Sequence, residues 1–533
     1  MNFRPATPKL PLAGWPLIAL CGLYLLAGLL DHDPWKVDDA VNLGVAFEFA
    51  RGGEWLTPRI GLDPWFGAPP LFHWVAAVFG KSLDAILPFH AAARLATTLF
   101  GAAMLIALSR AARTLAADGN THAVPLLAIG TLGLLLPIHD AQPMIALLAA
   151  QATLYWGLAQ IPSRPAHGGM LMALALGGGL LSAGTLGALY LLPLPLLLLL
   201  HHHWRTPRTV TAVLLALTAG LTLGSLWPLL LTWQSPQHLE LLLKAENTRF
   251  SLQPFRAAAL TDHFKLLGWA TWPLLPLASW AIWAERKRLG NPSVFLPLLA
   301  GLSSTAAIFA FAEPRPLQHL PLIPPLCLLA AQGVERLRRG AANAFDWFGV
   351  MTFTLVAGLV WLGGVAMMTG EPARIAKNFT KAEPGFVGEW SWTALAIAAA
   401  LTGLWFWSLI RSSKSPWRSA SHWAAGITLI WALLAALWMP WMNYGKTYRP
   451  MAASLKRALG DSNACVASRN LGDAQKASFR YFTDLAPQRG GNCPWLLVQG
   501  NARNEKAPAG WQKVWESNRP GDRNEKFWLY RRG

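Results

Sequence analysis

The sequence predicts an all-α protein that crosses a membrane about thirteen times and ends in a small α/β domain. Three observations carry this prediction. Of the 533 residues, 53% are hydrophobic and only 14% are charged. The apolar residues gather into successive runs close to the roughly 20 residues a helix needs to cross a bilayer. From about residue 447 the charge density rises and the apolar stretches shrink to strand length.

The apolar runs fall at 11–30, 89–109, 122–138, 142–161, 169–182, 184–200, 209–232, 264–284, 293–312, 317–334, 345–368, 391–410 and 421–439. No small-residue cleavage pattern follows the first run, which is long enough to stay as an anchor rather than leave as a signal peptide. Orientation follows from the basic residues, which concentrate on the cytoplasmic side. Arg4 and Lys9 precede the first span. With that end inside, the alternate loops carry Arg110 and Arg113, Arg164, Arg205 and Arg208, and Arg286-Lys287-Arg288. They continue with Arg336, Arg338 and Arg339, then Arg411, Lys414 and Arg418, all on the same side. The opposite loop, 31–88, holds eight acids (Asp31, Asp33, Asp38, Asp39, Glu48, Glu54, Asp63, Asp84) against four bases. An odd number of spans then places 440–533 outside.

A net charge of +18 would suggest nucleic acid in a soluble chain. Here the surplus lies in short loops and the tail, where topology and anionic lipid account for it. No Gly-rich phosphate loop, HExxH or paired CxxC occurs, so nucleotide hydrolysis and structural zinc are not indicated. No spacing demands a divalent metal or any other cofactor.

Within loop 31–88, residues 38–51 read as a helix with Asp38 and Asp39 at its N-terminus and Val41, Val45 and Phe49 at i, i+4 spacing, ended by Gly52-Gly53. A second helix runs from Leu71 to Lys81 after Pro69-Pro70; both suit the membrane interface. Segment 233–263 mixes leucines with Lys244, Glu246, Arg249, Arg256 and His263, and 369–390 reads as a lid or a plain connection. The chain divides into a membrane domain, 1–446, and a tail domain, 447–533. In the tail, 464–467, 495–498 and 527–530 read as strands. Cys465 and Cys493 both lie there, where export permits a disulfide or leaves two free thiols, whereas Cys21 and Cys327 lie in spans.

Chemistry is expected where carboxylates stand at span ends, because acids beside hydrocarbon are costly unless function or pairing repays them. Asp38 fits a catalytic role and equally an N-cap. His139-Asp140 ends the third span and Ala93-Arg94-Leu95 opens the second.

Three blocks carry a resemblance to a known family. They are Asp38-Asp39, then Gly53-Glu54-Trp55-Leu56-Thr57-Pro58, then Trp65-Phe66-Gly67-Ala68-Pro69-Pro70-Leu71-Phe72-His73-Trp74. With Arg94, His139-Asp140, and Glu313-Pro314-Arg315 leading into His319-Leu320-Pro321-Leu322-Ile323-Pro324-Pro325, this pattern resembles bacterial aminoarabinose transferases. It also resembles the wider protein O-mannosyltransferase-like enzymes of GT-C fold that use polyprenyl-phosphate sugars. The resemblance implies an inner-membrane glycosyltransferase with a cytoplasmic N-terminus and a periplasmic tail. It would move a sugar from undecaprenyl phosphate to a lipid A-like or other envelope acceptor. Asp38 would be the base and Asp140 a second catalytic acid. Asp39, Arg94, His139, Lys244, Arg249, Arg256, Arg315 and His319 would bind substrate. The chain departs from the family at Gly67-Ala68, where relatives carry Glu-Lys, and at Ser182-Ala183-Gly184, where they carry Thr-Lys-Gly. Two other classes compete: a transporter or flippase of lipid-linked substrates, and a non-catalytic relative that serves in envelope assembly. Transporters place ionisable groups at mid-membrane in paired broken helices; here the acids cluster at span ends.

Overall fold

The computed structural model describes residues 12–52, 54–116, 123–249, 257–309, 314–460, 465–490, 492–501 and 508–533. Eight helices among them are long and apolar enough to cross a membrane. The count of thirteen is not reproduced as uninterrupted spans. Trp15–Leu26 and Leu274–Ala284 are apolar but short. Predicted span 122–138 is broken at Gly130 into the helix Val124–Ile129 and a 3-10 turn, Leu132–Leu134.

Predicted spans 169–182 and 184–200 form one apolar stretch, Pro165–Leu198. The backbone leaves the helical region at Gly184, with φ 58° and ψ −131°, a conformation suited to glycine. A Cβ on Gly187 would collide with the Gly179 carbonyl, and one on Gly179 with the Leu191 side chain. In a straight helix those positions would lie about 12 and 18 Å apart. The chain therefore doubles back, and the stretch is a helical hairpin. Glu246 caps the reversal by accepting from the Thr185 N–H at 3.2 Å and from its hydroxyl.

Loop 31–88 forms the helix Asp38–Gly52, a two-stranded ribbon (β1 Arg59–Ile60, β2 Asp63–Pro64) and the helix Leu71–Ser82. Val41, Val45 and Phe49 are buried together with Phe72, Ala76 and Ala77, so the two helices share a core with the start of Phe89–Leu115. The 369–390 stretch is a packed connection. Its helix Ala373–Ala382 sets Phe379 edge-on against Trp438 and Trp441 at 5.0 and 5.3 Å.

The tail folds as a five-stranded sheet: β3 Val466–Arg469, β4 Gln488–Arg489, β5 Trp495–Asn501, β6 Trp511–Asn518 and β7 Glu525–Arg532, in the order β4-β3-β5-β7-β6. β3 runs parallel to its neighbours, and the β5–β7–β6 pairs are antiparallel. Cys465 and Cys493 are disulfide-bonded, with Cα atoms 5.1 Å apart. The helix Asp473–Thr483 lies on Asp38–Gly52, so the tail shares a face of the molecule with loop 31–88. Ion pairs seal this contact: Lys476–Asp63 at 2.5 Å, Arg480–Glu48 at 2.7 Å, and Arg51–Asp484.

The closest approach of the two helices is at Gly44, where a Cβ would stand 2.5 Å from that of Ala477. Gly44→Ala should therefore separate the tail from the membrane body at a cost of about 1–3 kcal/mol. The expected result is faster protease release of 447–533 with the membrane helices intact; unchanged cleavage would contradict this packing.

Candidate active site at the junction of three segments

The first turn of Asp38–Gly52 carries two carboxylates with opposite fates. Asp39 is 3% exposed and Arg94 0%. Asp39 Oδ1 accepts from Arg94 Nε at 3.0 Å and from the Ala141 N–H at 2.8 Å, while Oδ2 accepts from Arg94 Nη2 at 2.7 Å and the Trp35 N–H at 3.0 Å. Arg94 spends its other donors on the backbone carbonyls of Leu29 (3.3 Å), His32 (2.8 Å) and Asp33 (3.0 Å). All five guanidinium N–H groups and all four carboxylate lone-pair sites are thus used internally. Burial pushes the Asp39 carboxyl upward, but the adjacent Arg94 outweighs it and holds the group below the usual carboxylate range. The expectation that Asp39 and Arg94 bind substrate is corrected: neither has a polar group left to offer.

His139 and His319 are corrected on the same ground. His139 is 1% exposed, its ring nitrogens face the carbonyls of Leu135 and Tyr24, and its ring stacks on Trp431 at 4.4 Å. His319, also 1% exposed, sets Nδ1 2.9 Å from the Arg315 carbonyl and Nε2 3.3 Å from His263 Nδ1. Both rings are turned inward and hold neighbouring segments together.

Asp38 is different. It is exposed, and among the described residues its single hydrogen bond is with Gln142 Nε2 at 3.5 Å. It does not cap its helix, because the first amides, Ala40 and Val41, bond the carbonyls of Trp35 and Val37 instead. Segment 140–142 is stitched to the same turn: Asp39 takes the Ala141 N–H, and Asn42 Nδ2 donates to the Ala141 carbonyl at 2.8 Å. Thr97, one helix turn past Arg94, donates to the Asp140 carbonyl at 2.7 Å. These bonds bring the half-buried Asp140 carboxyl within electrostatic reach of Asp38 and Asp39. Burial, then the Asp39 charge, push Asp140 up to about 7. Crowding by protein and the Asp39 charge also raise Asp38, against the pull of Gln142 and Arg315.

Two cations face these acids. The exposed Arg315 lies within electrostatic reach of Asp38. Lys446, which the sequence reading missed, sits 4.1 Å over the Trp35 ring and within reach of Asp140. No local motif marks Lys446; the structure delivers it by tying 443–449 to 33–35. Asn443 Oδ1 accepts from the Asp33 N–H (3.0 Å) and Trp35 Nε1 (3.1 Å), and Thr447 and Arg449 bond the Asp33 carboxylate. Lys244 is exposed on the helix Pro236–Arg249, with no ion pair among the described residues. Arg249 ends that helix, its side chain lies outside the described residues, and Arg256 lies outside them altogether. At Gly67 the Trp65 indole packs where a Cβ would stand.

Two predictions follow from the pair and from Asp140. Arg94→Ala leaves a buried, unpaired carboxylate and should cost about 3–5 kcal/mol, abolishing monodisperse protein on size exclusion. Arg94→Lys, with three donors and no fork, should fold with a lowered melting temperature; wild-type stability in both would overturn the pairing. Asp140 has a raised folded-state pKa, so its stabilising contribution is full below the ordinary carboxylate range and is lost as pH rises through about 7. Asp140→Asn should then match wild type in melting temperature near pH 4 and exceed it at pH 8. A difference that does not change with pH would refute this.

No family model matches the chain. It is 27% identical over 449 residues to the undecaprenyl phosphate-alpha-4-amino-4-deoxy-L-arabinose arabinosyl transferase of Pseudomonas aeruginosa strain UCBPP-PA14, covering 79% of this chain and 75% of that one. It is 26% identical over 451 residues to the enzyme of the same name from Pseudomonas paraeruginosa, with the same coverage. Among solved structures it superposes on ArnT from Cupriavidus metallidurans bound to undecaprenyl phosphate with a TM-score of 0.70 at 15% identity, covering 96% of this chain and 97% of that one. The apo form gives 0.69 at 16% identity. The chain thus has the ArnT fold over nearly its whole length and is similar, at 26–27% identity, to the undecaprenyl-phosphate aminoarabinose transferases.

Proposed function

We propose that the protein is a membrane glycosyltransferase that moves a sugar, aminoarabinose or a close analogue, from undecaprenyl phosphate to a lipid A-like acceptor. The observation that carries this reading is the exposed Asp38 carboxylate held beside Asp140 and opposed by Arg315 and Lys446, in a fold shared with an enzyme solved with undecaprenyl phosphate. The acceptor hydroxyl gives its proton to Asp38 as its oxygen bonds to the anomeric carbon. The bond from that carbon to the phosphate oxygen breaks on the opposite face, and its electron pair leaves with undecaprenyl phosphate. The anomeric centre is inverted. A raised Asp38 pKa makes it a stronger base near neutral pH. Arg315 and Lys446 take up the charge that grows on the departing phosphate, replacing the Lys that relatives carry where this chain has Ala68. Lys244, Arg249 and Arg256 are further candidates for the donor's phosphate. Residues 1–446 form the catalytic membrane domain and 447–533 the domain that closes it. The basic loops face the cytoplasm, so the N-terminus is cytoplasmic and the site and tail are periplasmic.

The test uses purified protein in lipid nanodiscs, with undecaprenyl phosphate-linked aminoarabinose and lipid A, read by mass spectrometry. Asp38→Asn should lower turnover by about 10²–10⁴-fold. Lys446→Gln should lower it less, and Ala68→Lys should leave it nearly unchanged. Full activity of Asp38→Asn would overturn the assignment of the base. Absence of transfer by wild type with this donor would overturn the transferase reading.

A further inference from the structure

On the face opposite the candidate active site, the starts of the helices Arg339–Thr369 and Arg418–Leu437 enclose a cavity of about 730 Å³. Its polar lining is Arg339, Asn343, Asp346, Lys414, Ser415, Arg418 and Ser419. Asp346 is already committed, to Arg418 at 2.7 Å and His422 Nδ1 at 2.7 Å. Arg339 and Lys414 are exposed, and neither makes an ion pair among the described residues. The Ser419 hydroxyl, on a residue 3% exposed, has no hydrogen-bond partner. A buried hydroxyl without a partner beside two unspent cations is an incomplete polar shell, and an anion with several acceptor oxygens completes it.

We infer that this cavity binds the phosphodiester headgroup of an anionic phospholipid. A lipid is favoured over a free phosphate by what lies below the cavity. From Asn343 the helix presents Trp347, Met351 and Leu355 at four-residue intervals, 68%, 53% and 66% exposed. That stripe starts at the cavity and runs into the membrane, giving the acyl chains a continuous track under the headgroup. Basic pockets between membrane helices on the cytoplasmic side bind acidic headgroups in this way. Residues Arg418–Leu437 lead from the cavity to Met439–Lys446 on the opposite face, so an occupied cavity braces the element that delivers Lys446.

The experiment measures the melting temperature of the delipidated full-length protein in detergent as phosphatidylglycerol, phosphatidylcholine or inorganic phosphate is added. Native mass spectrometry counts the retained lipid. Phosphatidylglycerol should stabilise wild type, and the other two should not. In Arg339→Gln/Lys414→Gln the half-saturating phosphatidylglycerol concentration should rise at least tenfold. Arg110→Gln/Arg113→Gln, which removes two exposed cations from the same face, should respond as wild type does. An equal response in the cavity variant, or an equal loss in the control, would overturn the site. Stabilisation by inorganic phosphate alone would overturn the lipid assignment.

Discussion

A fully buried guanidinium is the constraint on which the candidate-site face of this protein depends. Arg94 sits at 0% exposure in the first turns of a membrane helix, where an unmatched charge would be prohibitive. Its fork is satisfied by three carbonyls from Leu29 to Asp33 and by both oxygens of Asp39. Those partners come from the loop after the first apolar helix and from the interfacial helix, and Asp39 extends the network to Ala141. One ion pair thus sets the relative positions of four segments. Asp38 and Asp140 are its immediate neighbours, and they stay free because Asp39 absorbs the pairing. The pair positions the site and has no capacity left to act in it.

The tail completes the same face. It docks through Gly44 against Ala477 and through ion pairs to Glu48, Arg51 and Asp63. Lys36 reaches the tail as well, meeting Asp522 at 3.5 Å and Glu525 at 3.3 Å. Exposed pairs of this kind are worth little singly, but here they accompany helix packing that excludes water. The docking fixes the 443–449 segment, so the tail contributes to the site by placing Lys446 over Trp35.

Much of this was legible in the residues. The interfacial helix Asp38–Gly52 and its buried Val41, Val45 and Phe49 follow from i, i+4 spacing, and the starts of β3 and β5 and the middle of β7 from short apolar runs. β6 escaped because a register shift between Lys513 and Trp515 leaves Val514 outward and breaks the alternation a strand normally shows. The predicted runs are not all single long helices: one is interrupted at Gly130, and two others are the short apolar helices Trp15–Leu26 and Leu274–Ala284. Arg94, His139 and His319 entered the candidate list through the family resemblance, which fixes their place in the chain but not whether the side chain faces a substrate or a carbonyl.

By itself the sequence determined the membrane class, the helix that carries Asp38 and the family resemblance. All of these rest on local periodicity, composition or motif. Only the tertiary structure decided which acid is free and which is spent, and which cations face the carboxylates. Those outcomes depend on hydrogen bonds between residues 55 to more than 400 positions apart. A carboxylate's chemistry is set by what saturates its lone pairs, and that is a property of the folded neighbourhood rather than of the chain.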